Sequence, residues 1–125
     1  MSLTTTPIMA FVATAMPDRA REFYGKTLGL RLISEDGFAL AFDVNGTILR
    51  VTRVQEVRPQ PYTVLGWVVS DIAQAVQDLE GRDVTFLRVP GLPQDEHGIW
   101  TAPGGAKIAW FKDPDGNTLS LTELT

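Results

Sequence analysis

His97 is the only imidazole in the chain, and it stands in the run Gln94-Asp95-Glu96-His97-Gly98. An imidazole beside carboxylates could hold a metal or move a proton. Residues adjacent in sequence chelate one ion poorly, however, and a loop presents them loosely. The plainer expectation is a solvated loop histidine. Arg50 lies in Thr47-Ile48-Leu49-Arg50-Val51. If Leu49 and Val51 face a helix, alternation turns Arg50 to the other side, where its fork suits a carboxylate or phosphate. A rim arginine fits the same pattern. Asp113 and Asp115 could pass for paired carboxylates, but they flank Pro114 and Gly116 and read as turn formers. Trp110 and Trp100 could stack a flat ligand. No Ser-His-Asp set and no glycine-rich phosphate loop occurs, so no catalytic residue is assigned.

The bulk properties narrow the field. With 125 residues, one domain spanning 1–125 is expected. With no cysteine there is no disulfide framework, thiolate site or cysteine nucleophile. The net charge is −4 and the basic residues are scattered, which argues against nucleic acid as a partner. No apolar run is long enough to cross a bilayer and the start lacks a signal-peptide pattern, so no membrane partner and a cytoplasmic location are expected.

These side chains must be held by strands and helices legible in the pattern. Trp110–Leu121 reads strand, tight turn, strand, with Leu119 and Leu121 alternating against Ser120 and Thr122. From the start, residues 1–7 read as a loose lead-in and 8–15 as a buried strand. Met16-Pro17-Asp18 opens a helix whose face is Ala20, Phe23, Tyr24 and Leu28. Strands follow at 30–35, 38–44 and 47–54, with turn signals at Asp36-Gly37 and Asn45-Gly46. A proline-bearing connector leads to a strand at 62–69 and a helix capped by Ser70-Asp71 that stops at Gly81. A strand over 84–89, a long loop over 90–105 and strands at 106–111 and 118–123 complete the chain.

The order repeats, with Met16–Ala20 lying over Asp71–Ala75. The expectation is an α+β fold of two tandem βαβββ modules, about 8–57 and 62–124. Each curved sheet carries its helix on the convex side, and the two together make a cup-shaped mixed sheet. Alternation turns Met9, Phe11, Ala13, Val64, Gly66, Val68, Ile108, Trp110, Ser120 and Thr122 to the cup. Ala109, Phe111, Leu119, Leu121 and Trp67 fall to the core.

With that order and the runs A-R-E-F-Y-G-K-T-L-G-L (20–30), V-V-S-D-I (68–72) and F-K-D-P-D-G-N-T-L-S-L (111–121), the chain resembles the vicinal oxygen chelate superfamily of glyoxalases, bleomycin-resistance proteins and extradiol dioxygenases. The resemblance implies metal ligands on the first and last strand of each module. Those positions carry Met9, Val64, Ser120 and either Leu49 or Arg50 here, none a ligand for a divalent metal. No metal and no other cofactor is therefore expected. The resemblance further implies a homodimer that sequesters a small organic molecule, apolar or aromatic, with or without a negative charge. Its ligand-binding residues are expected among Phe11, Arg50, Trp100, Trp110 and Ser120. The alternatives are a glyoxalase- or dioxygenase-like metalloenzyme with non-standard ligands, and an accessory module with a vestigial pocket.

Overall fold

The computed structural model describes residues 1–125 and divides into two compact units, Met1–Arg58 and Pro59–Thr125. In the first unit, β1 (Met9–Thr14) leads to α1 (Pro17–Glu22). Pro17 and Asp18 open the helix as their types favour, and its end widens into a π-helical turn over Phe23–Thr27. Gly29 then takes a left-handed φ of 75° that lets the chain reverse. Strands β2 (Arg31–Glu35), β3 (Ala39–Val44) and β4 (Thr47–Arg53) follow. Asn45 and Gly46, at φ 51° and 89°, make the hairpin between the last two. The sheet order is β1-β4-β3-β2, with β1 parallel to β4 and the rest antiparallel. One face packs Val12, Leu40, Phe42, Leu49 and Val51 with Ala20 and Tyr24 into a core. The other face leaves Met9 and Phe11 exposed.

The second unit repeats the plan with β5 (Thr63–Val68), α2 (Ile72–Glu80), a short β6 (Trp100–Thr101), β7 (Lys107–Lys112) and β8 (Thr118–Glu123). Its sheet order is β5-β8-β7-β6. Leu119, Leu121, Ala109 and Phe111 are buried on one face with Ile72 and Val76 of α2. Trp67 joins them, stacked on Phe111 with ring centroids 6.4 Å apart. Both sheets are thus mixed and each βαβββ order is observed, an α+β architecture as expected.

Three local expectations need correction. Residues 84–89 form no strand. Only Phe86 bridges Phe111, and the amide of Leu87 donates to the carbonyl of Trp110 at 2.8 Å. The edge beside β7 is divided instead between this stretch and β6, because the chain leaves it for the loop before returning at Trp100. Helix α2 stops at Gly81 as expected, with an ordinary φ of −65° there and the left-handed φ of 66° at Asp83. The lead-in is not featureless: Leu3–Thr5 is a 3-10 turn capped by the Ser2 side chain. Finally, β5 bulges between Thr63 and Leu65, so Thr63, not Val64, stands beside Thr118. One extra residue reverses the alternation at that point.

Candidate binding cleft

The open face of the second sheet ends in a cleft of about 490 Å³. Alternation along β7 puts Ile108, Trp110 and Lys112 on the face opposite Ala109 and Phe111, and Trp110 and Lys112 reach the cleft. Tyr62 and Thr63 enter from the start of β5, and Thr118 from the start of β8. Pro59 and Pro61 of the connector close one side, and Leu87, Val89 and Leu92 the other. The walls are mainly apolar, as befits a small-molecule site. Lys112 is the only charged residue among them.

Hydrogen bonds, half-buried at Gln94 and exposed at Arg88, hold these walls. The Gln94 side chain donates to the carbonyls of Leu87 (2.9 Å) and Gly98 (2.8 Å) and accepts from the amide of Val89 (2.7 Å). Arg88 donates to the carbonyls of Asp95 and Glu96. Asp95 accepts from the amides of His97 and Ile99, each at 2.9 Å. A stretch that reads as a plain loop is therefore closed on itself, with Val89 and Leu92 turned to the cleft. At the far side, buried Asp113 accepts from the amides of Asp115 (3.0 Å) and Asn117 (2.9 Å) and from the Asn117 side chain (2.8 Å). Its role is the turn, as its place beside Pro114 suggests.

The five residues expected to bind ligand fall into two groups, one in each unit. Trp110 lies beside Ser120 in the β7–β8 register, and Trp100 beside Ile108. The two indoles stack with centroids 6.1 Å apart and planes at 26°. Trp110 lines the cleft, whereas Trp100 and Ser120 lie outside its walls. In the first unit Phe11 and Arg50 are register neighbours on β1 and β4, on the face away from buried Leu49. His97 is not simply solvated: its Nδ1 is 3.0 Å from Glu80 Oε1 at the end of α2.

Lys112 and Tyr62 were not singled out from the sequence. Lys112 follows Ile108 and Trp110 at period 2, so the alternation already carried that signal. Tyr62 shares the parity of Val64, Gly66 and Val68 and so carried the same signal, whereas Thr63 enters only through the bulge, which the sequence does not announce.

The positions that the family resemblance assigns to metal ligands can be tested on these side chains. Leu49 is buried in the core, so Arg50 holds the open position on β4. A thioether, an isopropyl group, a hydroxyl and a guanidinium do not make a donor set for a divalent cation. Nor does the protein gather three or more His, Cys, Asp or Glu side chains where a metal ion could sit.

The sequence pattern of the Glyoxalase/Bleomycin resistance protein/Dioxygenase superfamily matches residues 7–121. A comparison with functionally curated proteins finds no match. Among solved structures, a glyoxalase family protein from Bacillus anthracis is similar at TM-score 0.74 and 17% identity, over 100% of this chain and 99% of that one. Lactoylglutathione lyase from Agrobacterium tumefaciens gives 0.72 and 16%, over 98% and 96%. TioX from Micromonospora sp. ML1 gives 0.70 and 18%, over 94% and 98%. At these identities the likeness is one of fold.

Proposed function

The chain belongs to the Glyoxalase/Bleomycin resistance protein/Dioxygenase superfamily, and within it we propose a protein that binds a small apolar or aromatic molecule without metal. The observation that carries this reading is the cleft of about 490 Å³ with Trp110 in its wall and mainly apolar surroundings. A volume of this size suits a ligand of two or three rings. Trp100 backs Trp110 by stacking on it, and Ser120 lies beside it in register. Phe11 and Arg50 offer a second aromatic and cationic patch on the open face of the first sheet. Sequestration, not turnover, is the proposed activity, because the residues at the ligand positions suit no metal and no acid–base pair lines the cleft.

A homodimer is part of this reading. Met9 and Phe11 on β1, and Val64 and Val68 on β5, are exposed apolar residues on strands at the edge of their own sheets. Such residues are the kind a second copy covers. No helix is long and apolar enough to cross a membrane, and we place the protein in the cytoplasm.

Titration with 2-naphthamide, a neutral two-ring probe, followed by tryptophan fluorescence, tests the binding reading. Saturable quenching is expected for the native chain. Trp110→Ala should abolish it while costing less than about 2 kcal/mol, against the 3–5 kcal/mol typical of a truncated core aromatic. Binding unaffected by Trp110→Ala would remove the cleft from the proposal.

A further inference from the structure

We propose that Lys112 makes the cleft a carboxylate site, and that its ligand is an aromatic monocarboxylate. This rests on the binding reading above and adds the ligand's charge and class. Lys112 ends β7, is exposed, and stands opposite Thr118 in the β7–β8 register. It is the one charged residue in the walls of the cleft, and no carboxylate of the protein lies within ion-pair distance of it. Its sequence neighbour Asp113 cannot neutralise it cheaply. Both Asp113 carboxylate oxygens are occupied by the Asp115 and Asn117 donors of the turn.

An ammonium at the rim of an apolar cleft favours a ligand with an apolar body and an anionic end. The aromatic character follows from Trp110 and Tyr62 in the walls, with the apolar pyrrolidine rings of Pro59 and Pro61 beside them. The single charge follows from the single cation. A phosphate, with about two negative charges, would be poorly balanced by one ammonium, and the adjoining turn has no amide to spare. The amides of Asp115 and Asn117 are bound to Asp113 Oδ1, and that of Gly116 to the Asp113 carbonyl at 3.0 Å. A chain of net charge −4 repels anions in general, so a local cation is what would let a carboxylate dwell here.

The test compares 2-naphthoate with its neutral isostere 2-naphthamide on the full chain, at low salt and at about 0.5 M salt. At low salt the carboxylate should bind about tenfold more tightly, a difference of ~1.4 kcal/mol. High salt should shrink that ratio and leave the amide unchanged. Lys112→Gln should bring the ratio to about one by weakening the carboxylate far more than the amide, and Lys112→Arg should keep much of it. Lys107→Gln makes the same change of charge at the other end of β7 and should leave the ratio intact. Equal binding of the two probes by the native chain, or a preference that survives Lys112→Gln, overturns the proposal while the binding reading stands. If neither probe binds, the binding reading falls and this one with it.

Discussion

Gly66 and Ser120 lie opposite each other on β5 and β8, so close that a Cβ on Gly66 would sit 2.6 Å from Ser120 Oγ and 3.3 Å from its carbonyl oxygen. The glycine is therefore required by space, not by backbone angle. Gly66→Ala must displace the hydroxyl or part the strands, and should cost about 1–3 kcal/mol as overpacking does. In a Ser120→Gly background the same substitution meets only the backbone contact and should cost much less. Urea denaturation of the four chains in that cycle measures the coupling. Additive effects would show that the strands adjust freely, and that the contact does not constrain them.

Much of this architecture was legible because period-2 patterning and turn chemistry agree over most of the chain. Leu119 and Leu121 are buried as their alternation requires, and Asn45-Gly46 turns as its types require. The failures share a cause. Residues 84–89 are apolar enough for a strand, yet Gln94 bonds three backbone groups of that segment and its loop, and the chain leaves the sheet. No local propensity encodes a glutamine clamp. The Thr63 bulge shifts β5 by one residue at the mouth of the cleft, and alternation cannot foresee it. Trp110 was legible as a cleft residue from parity alone. Lys112 obeys the same parity and was hidden only by its position beside a recognisable turn motif.

Asp36 gives a prediction about acid. Its Oδ1 accepts from the amides of Phe38 (2.7 Å) and Ala39 (2.9 Å), and these bonds, followed by the charges of Arg50 and Arg53, hold its carboxyl below the ordinary 3.8. A carboxyl whose folded pKa is depressed stabilises the fold above its unfolded value, and that contribution is lost as pH falls toward the folded value. Glu35 shifts the same way, through its paired hydrogen bonds with Arg21. Asp36→Ala should therefore lower Tm at pH 6, with the gap to the native chain narrowing below about pH 4. A gap constant from pH 6 to pH 2 would show that the ionised form is not what the turn needs.

Metal retention follows from the donor chemistry. After equilibration with Zn²⁺, Ni²⁺, Fe²⁺ or Mn²⁺ and dialysis, elemental mass spectrometry should find far less than one ion per chain, because Met9, Val64, Arg50 and Ser120 present no imidazole or carboxylate. Stoichiometric retention would bring the metalloenzyme reading forward and make His97 and its two neighbours Glu80 and Glu96 the first residues to replace.

The Gln94 clamp links stability to binding. Its side chain bonds Leu87, Val89 and Gly98, and Leu87 and Val89 are walls of the cleft. Gln94→Ala removes three hydrogen bonds in a half-buried place and leaves two carbonyls and one amide to find other partners, at about 1–3 kcal/mol. The loss should be local, because all three of the Gln94 bonds go to backbone groups of the 87–98 stretch and none to β8 or α2. Hydrogen exchange should then rise at the amides of Val89 and Ile99 before it rises in β7 and β8. Affinity for 2-naphthamide should fall with it, since ordering the loop becomes part of the cost of binding. Gln94→Glu separates shape from donor: it can still accept from Val89 but no longer donates when ionised, so it should resemble alanine in exchange and in affinity. An unchanged affinity in both variants would mean that Leu87, Val89 and Leu92 hold their places without the clamp.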